Sequence, residues 1–373
     1  MPSVLLVGGF QPGQSMWSIK LGFEKLGYGV VYQPTRGCME DQREPDIALA
    51  KEEGDIIPPS TEWNVKFRSY SEFSSDLLKT IERHRPEILL WWFSKDDKQP
   101  GLISEIRRKF PWCKTVTHTQ DDPWDVLRNP QYADEFEFAA TCCKESVEVY
   151  GARNIKAIVL YPPPAMELHR AARPSPAEAC DFSITILTLY ARQDTDPEGY
   201  LDSTDRDTRI TFPLGFPDQR VLRKEMVNAL KDLGRVHIYG GLGFGTFEGI
   251  PRTSYRGFRT YFELPSMYRS AKVNMNQHNS PKAYGYLNQR DTAITGSGGF
   301  MLTDYVEGIE EIFDIGEEID TWETLDEMRE KAEWWLANET QREAAGKRAQ
   351  ARILQEYGNQ AYAKKLLEFV RNN

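Results

Sequence analysis

The segment NQRDTAITGSGGFMLTD, residues 288–304, decides how this chain is interpreted. It begins as a polar, charged turn, continues as a short helix-compatible run to Thr295, breaks at a glycine-rich turn over 296–299, and ends in an apolar strand. A helix that starts at Arg290 leaves free backbone N–H groups and a positive dipole end beside a guanidinium. That arrangement is a suitable binding site for a diphosphate. The same residues are also compatible with a surface helix and a buried strand that bind no ligand.

Strand and helix patterns alternate over most of the chain, which predicts parallel sheets covered by helices on both faces. The predicted strands include residues 3–8, 29–33, 87–92, 114–119, 181–189, 236–241 and 272–277. Two or three helices are predicted to close the chain, at 322–336, 342–357 and 361–371. We therefore expect an α/β protein with two Rossmann-like, parallel-sheet lobes.

A Pro- and Ala-rich segment, residues 161–179, separates the two series of strands and is the best candidate for a linker. The domain prediction is made of four parts. They are an N-terminal lobe (1–165), a linker (166–180), a C-terminal lobe (181–350) and a C-terminal helix (351–373).

Composition limits the class of protein. The chain has 373 residues, a net charge of −10 and 27% charged residues, and we find no apolar run of the ~20 residues that a membrane helix needs. The acidic balance argues against broad nucleic-acid binding. Five cysteines without a CxxC pair favour neither a disulfide framework nor a zinc site. With no signal-peptide pattern at the N-terminus, we predict a cytoplasmic protein.

The segment at 288–304 resembles the C-terminal motif of the group 1 glycosyltransferases, in particular the branch named for the spore-maturation protein CgeB. The positions that match this motif are Asn288, Arg290, Gly298, Phe300, Leu302, Thr303 and Asp304. The resemblance implies the GT-B fold, in which two Rossmann-like lobes face each other across a cleft and the C-terminal helix packs back on the first lobe. It also implies transfer of a sugar from a nucleotide sugar held by the second lobe.

Two departures from the family pattern concern the donor. The family usually has a Glu three residues after the Arg, which holds the donor's ribose in related enzymes, and here that position is Ala293. The Glu that retaining members have eight residues earlier corresponds to Gly285. We therefore expect weak donor binding when acceptor is absent.

The predicted donor-binding residues lie around strand ends and glycine turns of the second lobe. They are Arg290, Asn276, His278, Gly240, Gly241, Asn288 and Thr292. In the first lobe, the turn after the first strand carries Gly9 and Gly13, which we expect to face the cleft. Neither glycine loop is a complete dinucleotide-binding fingerprint, and both are also compatible with plain tight turns.

A catalytic base is expected at the carboxyl end of the strand 114–119, where the candidates are Asp121, His118 and Asp122. A carboxylate or a histidine in the acceptor lobe can take the proton of an acceptor hydroxyl. Asp122 precedes Pro123 and suits a helix cap, so Asp121 is the first choice and His118 the second.

The sequence thus predicts a metal-independent glycosyltransferase that uses a nucleotide sugar, preferably a UDP-sugar, as substrate and needs no cofactor. The sequence does not identify the acceptor, and three classes stay open: a polysaccharide, a small molecule and a modified DNA base. The alternatives that stay open are a bacteriophage-type enzyme acting on hydroxylated DNA bases, a sugar-nucleotide epimerase or hydrolase, and a GT-B binding protein without activity.

Overall fold

The computed structural model describes residues 1–8, 15–34, 70–92, 100–119, 122, 126, 133–185, 219–240, 250–257, 259–278 and 283–373. Four of the predicted site residues lie outside these ranges, namely Gly9, Gly13, Asp121 and Gly241.

The first sheet has six parallel strands in the order β2-β1-β3-β4-β5-β6. In chain order these strands are β1 (Ser3–Gly8), β2 (Gly29–Pro34), β3 (Ile88–Trp92), β4 (Lys114–Thr119), β5 (Phe138–Thr141) and β6 (Lys156–Val159). Strands β1 and β3 read as nearly continuous apolar runs, such as ILLWW in β3, because helices cover both faces of a parallel sheet.

The second sheet also has six parallel strands, in the order β12-β11-β10-β7-β8-β9. They are β7 (Cys180–Thr185), β8 (Val236–Tyr239), β9 (Tyr255–Gly257), β10 (Ala271–Asn276), β11 (Met301–Asp304) and β12 (Asp320–Trp322). The side chains on the two faces of this sheet belong to separate apolar clusters, one with Val273 and Leu302 and the other with Met301.

The described α-helices surround these two sheets. They are α1 (Ser15–Lys25), α2 (Tyr70–His84), α3 (Leu102–Lys109), α4 (Glu145–Gly151), α5 (Met166–His169), α6 (Gln219–Leu230), α7 (Leu264–Ser270), α8 (Gln289–Gly296), α9 (Leu325–Ala337), α10 (Glu339–Glu356) and α11 (Asn359–Asn372). Short 3-10 helices lie at Pro176–Glu178, Arg252–Ser254 and Ile309–Glu311. Among the described helices, none is long and apolar enough to cross a membrane.

Helix α11 packs on the first sheet although it follows the second sheet in sequence. Its apolar residues Tyr362 and Leu366 belong to the cluster that contains Val4 and Phe23. Helices α1 and α11 approach so closely that a Cβ on Gly22 would overlap the backbone carbonyl of Asn359. The first lobe therefore includes an element from the other end of the chain.

The two lobes touch where the loop before α8 meets the segment after β5. The backbone N–H of Leu287 donates to the carbonyl of Cys142 at 3.0 Å, and the Tyr161 hydroxyl donates to the carbonyl of Gly285 at 3.0 Å. Cys142 follows the carboxyl end of β5, and the loop follows the carboxyl end of β10. The carboxyl ends of strands in both sheets thus lie on the side where the lobes meet.

This architecture confirms the predicted fold class. One boundary prediction was wrong: the first closing helix does not start at Trp322, which ends strand β12. The helix starts at Leu325, because the Thr324 side chain caps it by accepting a hydrogen bond from the backbone N–H of Glu327.

Candidate active site

The candidate site lies at the carboxyl edge of the second sheet, where ligands of open α/β sheets bind. Strand β10 ends at Asn276, β11 ends at Asp304, and α8 starts beside them at Gln289. The sequence folds this way because the glycines after α8 allow a sharp return into the sheet, with Gly298 at a φ of +75°.

Arg290 lies in the first turn of α8, half-buried, and is held by the strand-end loop. Its Nε donates to Oδ1 of Asn276 at 2.8 Å, and Nη2 donates to the carbonyl of Gln277 at 2.7 Å. Among the described residues, its Nη1 group has no hydrogen-bond partner. A guanidinium fixed on one side in this way can present its remaining N–H groups to an anion.

Asn288 caps helix α8 and supplies a second donor. Its Oδ1 accepts from the backbone N–H of Arg290 at 2.8 Å, while the buried Nδ2 group has no partner among the described residues. The carboxylate of Asp291 completes a capping box by accepting from the backbone N–H of Asn288 at 2.7 Å. An unpaired buried amide is costly, so its retention favours a bound ligand that accepts from it.

Asn276 and His278 lie at the strand end, as predicted, but their polar atoms bond to other protein groups. The Asn276 amide joins Asp291 and Arg290, with Nδ2 donating to Oδ1 of Asp291 at 2.7 Å. Nδ1 of His278 lies 2.7 Å from Oδ1 of Asp304, and its Nε2 lies 3.0 Å from Oδ2 of Asp291. Burial alone would lower the pKa of His278, but the two carboxylates raise it to about 10.

Arg223 is a site residue that the sequence analysis missed. It is buried on α6, and its Nε donates to Oε1 of Gln277 at 2.9 Å. The signal in the sequence was an arginine on the apolar face of the helix, at i, i+3 and i+7 with Met226 and Leu230. Two arginines, Arg223 and Arg290, therefore converge on Gln277.

Three further positions of the second lobe, Thr292, Ala293 and Gly240, have contacts or backbone angles that serve the fold. The Thr292 hydroxyl donates to the carbonyl of Pro162 at 2.6 Å, which joins α8 to the segment between the lobes. Ala293 packs in an apolar cluster with Tyr161 and Ile353. Gly240 follows β8, where a φ of +142° favours glycine.

Of the described base candidates, His118 is completely buried. Its ring stacks against the rings of Trp92 and Tyr362, with centroid distances of 4.3 and 5.6 Å. Burial lowers the pKa of His118 to about 3, so the ring is neutral, and its Nε2 has no partner among the described residues.

Asp122 is buried as well, and burial raises the pKa of its carboxyl group. The hydroxyls of Thr119 and Tyr150 donate to Oδ2 of Asp122. These bonds join Asp122 to β4 and α4.

Metal ligation finds no support in the described ranges, where no group of three or more His, Cys, Asp or Glu side chains could hold an ion.

A family model described as "Glycosyl transferase-like" matches residues 220–368, which contain most of the second sheet and helix α8. No curated protein matches the chain in sequence.

Solved structures share the fold over its whole length. Sucrose-phosphate synthase from Thermosynechococcus elongatus has a TM-score of 0.62 at 11% identity, with 100% of this chain and 99% of that chain covered. HepE from Anabaena, in complex with UDP and glucose, has a TM-score of 0.57 at 10% identity, with both chains covered completely. A glycosyltransferase from Rickettsia africae has a TM-score of 0.57 at 10% identity, with coverage of 100% and 99%. The chain therefore has the GT-B fold, and the glycosyl transferase-like segment covers most of the second lobe and extends into helix α11.

Proposed function

We propose that this chain is a cytoplasmic glycosyltransferase that moves a sugar from a nucleotide sugar, preferably a UDP-sugar, to an acceptor hydroxyl. The observation that carries the proposal is the half-buried Arg290 at the carboxyl edge of the second sheet, inside the segment that matches the glycosyl transferase-like model. The preference for UDP is supported by HepE, whose structures contain UDP and UDP-glucose. The motif at 288–304 favours the CgeB-like branch.

In the proposed reaction, the second lobe binds the diphosphate and the first lobe binds the acceptor. The acceptor oxygen forms a bond to the anomeric carbon, and the bond from that carbon to the phosphate oxygen breaks, so the nucleoside diphosphate leaves with the electron pair. Arg290 and the Asn288 amide stabilise the negative charge that develops on the departing group. These protein donors would serve without a metal ion.

The proposed base takes the proton of the acceptor hydroxyl. Asp121 remains the first choice and lies outside the described residues. His118 remains the second choice: its Nε2 has no partner among the described residues, but its lowered pKa makes the ring a weak base and substrate would have to reach a buried ring. Asp122 is the weakest of the three candidates, because its carboxylate is already bonded to Tyr150 and Thr119.

Product analysis separates this proposal from its alternatives. The purified protein is incubated with UDP-glucose and other nucleotide sugars, with and without a mixture of glycans or DNA containing hydroxymethylated bases. A transferred sugar supports the proposal, and transfer to DNA alone selects the bacteriophage-type alternative. An isomerised nucleotide sugar indicates an epimerase, and free sugar indicates a hydrolase. Binding with no chemistry indicates a GT-B binding protein, and no binding at all refutes the donor site.

A further inference from the structure

The side chains of His278, Asp291 and Asp304 form a buried, hydrogen-bonded group that we call the acid–histidine cluster. The His278 side chain and that of Asp291 are completely buried, and Asp304 is 7% exposed at its side chain. Each ring nitrogen faces one carboxylate, at 2.7 Å for Nδ1 and 3.0 Å for Nε2. The backbone N–H of His278 also donates to Asp304, at 2.9 Å.

With both carboxyl groups ionised, the hydrogen bonds require the charged form of the ring. A carboxylate oxygen accepts hydrogen bonds and donates none, and a neutral imidazole has only one N–H. Both nitrogens of His278 must therefore donate, since a lone pair directed at Asp291 or Asp304 would be repelled. The other described groups facing the ring are the Thr303 hydroxyl, 3.4 Å from Nδ1, and the edge of the Tyr286 ring, neither of which carries a charge at neutral pH.

The cluster is connected to the proposed donor site by a short series of hydrogen bonds. Asp291 accepts from His278 through one oxygen and from the Asn276 amide through the other. The same Asn276 accepts from Nε of Arg290. Asp291 also accepts from the backbone N–H of Asn288, which fixes the first turn of α8. Any change at His278 therefore reaches Arg290 through one carboxylate and one amide.

Within the hydrogen-bonded set of His278, Asp291, Asp304 and Arg290, the charges balance only when His278 is protonated. Asp291 and Asp304 bring two negative charges, and His278 and Arg290 bring two positive charges. With a neutral residue at position 278, this set would have one excess negative charge, and the site would attract an approaching anion less strongly. Coulomb interactions between partly buried groups are strong enough for one charge to change anion affinity by about tenfold or more.

We propose that His278 is a positioning residue for the nucleoside diphosphate: its imidazolium neutralises Asp291 and Asp304 and so leaves the charge of Arg290 available to the phosphates. This inference rests on the proposed function, because it concerns the same donor site. His278 acts through Asp291 and Arg290 and does not touch the ligand.

The test compares a charged probe with a neutral one. UDP and uridine are titrated into wild-type protein and into His278→Gln, with binding followed by NMR or calorimetry. We expect the variant to bind UDP about tenfold or more weakly and uridine as wild type does, because only UDP carries the phosphates. A loss of affinity for both probes in equal measure would indicate a merely structural role and would overturn the inference.

Two further variants complete the design. The double variant His278→Gln/Asp304→Asn removes one charge of each sign, and we expect it to recover most of the UDP affinity. His169→Gln is the matched control, since His169 is also buried but bonds to Ser297. We expect this control to bind UDP as wild type does, and weaker UDP binding in it would contradict the assignment to His278.

The outcomes distinguish this inference from the proposed function. If wild-type protein does not bind UDP, the proposed function itself fails. If wild type binds UDP and His278→Gln binds it equally well, only the role of His278 is refuted. If the variant does not fold, ¹⁵N NMR of histidine-labelled wild type decides: a ring with both nitrogens protonated at about pH 8.5, above the ordinary pKa of histidine, supports the charge balance, and a neutral ring at His278 overturns it.

Discussion

Nδ1 of His118 lies 2.5 Å from the phenolic oxygen of Tyr362, although the two residues are separated by 244 positions in the sequence. His118 is on β4 and Tyr362 is on α11, so this bond joins the carboxyl edge of the first sheet to the C-terminal helix. The packing of α11 and the environment of a candidate base are therefore coupled.

Replacing Tyr362 by Phe should destabilise the protein. The change removes the hydroxyl that bonds to His118 and leaves both ring nitrogens buried without a partner among the described residues, which costs about 1–3 kcal/mol. Urea unfolding measures the loss. Tyr305→Phe is the control, since the Tyr305 hydroxyl contacts the exposed Glu310 and should change stability by less than ~0.5 kcal/mol. Equal stability of Tyr362→Phe and wild type would contradict the prediction.

Replacing Gly22 by Ala should weaken the docking of α11. The added Cβ would overlap the carbonyl of Asn359, so the helices must move apart, at a cost of ~3 kcal/mol, the upper end for overpacking. Thermal unfolding and limited proteolysis of α11 are the measurements. Gly151→Ala is the matched control, because a Cβ added at Gly151 would meet no described atom within 4 Å. A Gly22→Ala protein as stable as this control would refute the predicted contact.

Replacing Arg290 by Ala should weaken UDP binding by about 1.5–3 kcal/mol, the usual worth of a hydrogen bond to a charged group. The sequence alone was also compatible with a surface helix at this position. The bonds of Arg290 to Asn276 and Gln277 now predict an additional loss of about 1 kcal/mol in stability. Calorimetric titration with UDP tests the affinity. Arg153→Ala serves as the control, since Arg153 is a half-buried arginine of the first lobe that pairs with Asp134. Unchanged UDP affinity in Arg290→Ala would refute its role at the donor site.

The pH dependence of stability should show a maximum near pH 6.5, the ordinary pKa of histidine. The pKa of His278 is raised from 6.5 to about 10, so its contribution is complete below pH 6.5 and is lost as the pH rises through 10. The pKa values of His118 and His169 are lowered from 6.5 to about 3 and 4, so their contributions are present above pH 6.5 and are lost in acid.

Urea unfolding between about pH 5 and pH 9.5 measures this profile, and the alkaline slope can reach ~1.4 kcal/mol per pH unit. The difference between wild type and His278→Gln isolates that residue, and an alkaline slope that the variant retains unchanged would speak against the assignment.

Replacing Asp121 by Asn should abolish turnover and leave UDP affinity unchanged. A general base acts on the acceptor hydroxyl and not on the nucleotide, and its removal costs about 10²–10⁴-fold in rate. Steady-state kinetics and calorimetry are the measurements. A variant that retains more than about a tenth of wild-type turnover would transfer the role to His118 or to a group on the acceptor.

The sequence predicted strands in both sheets because strand patterns alternate with helical patterns along the chain. The strand predicted at 114–119 is observed at Lys114–Thr119, and the strand predicted at 272–277 is observed at Ala271–Asn276. Strands β9 and β12 have three residues each, too few to show a period, and were missed.

The candidate site was predictable only in part. The position of Arg290 at a helix start follows from local signals, since Asn288 and Asp291 have the spacing of a capping box. The pairing of His278 with Asp304 spans 26 positions and depends on two strands ending side by side, which no local pattern records. His118 looked accessible at a strand end, but a helix from the other end of the chain covers it.

The first sheet and helix α11 are far apart in the sequence, and this separation also affects biosynthesis. At roughly 5–20 residues per second, a ribosome needs about 10–50 s to add the 244 positions from His118 to Tyr362. During that time, apolar residues such as Phe23 and Val4, which pack with Leu366 in the finished protein, have no helix α11 to cover them. The sheet of the first lobe is synthesised first, and the helix that completes this lobe is synthesised last. We therefore expect the nascent first lobe to bind chaperones that recognise exposed apolar surface.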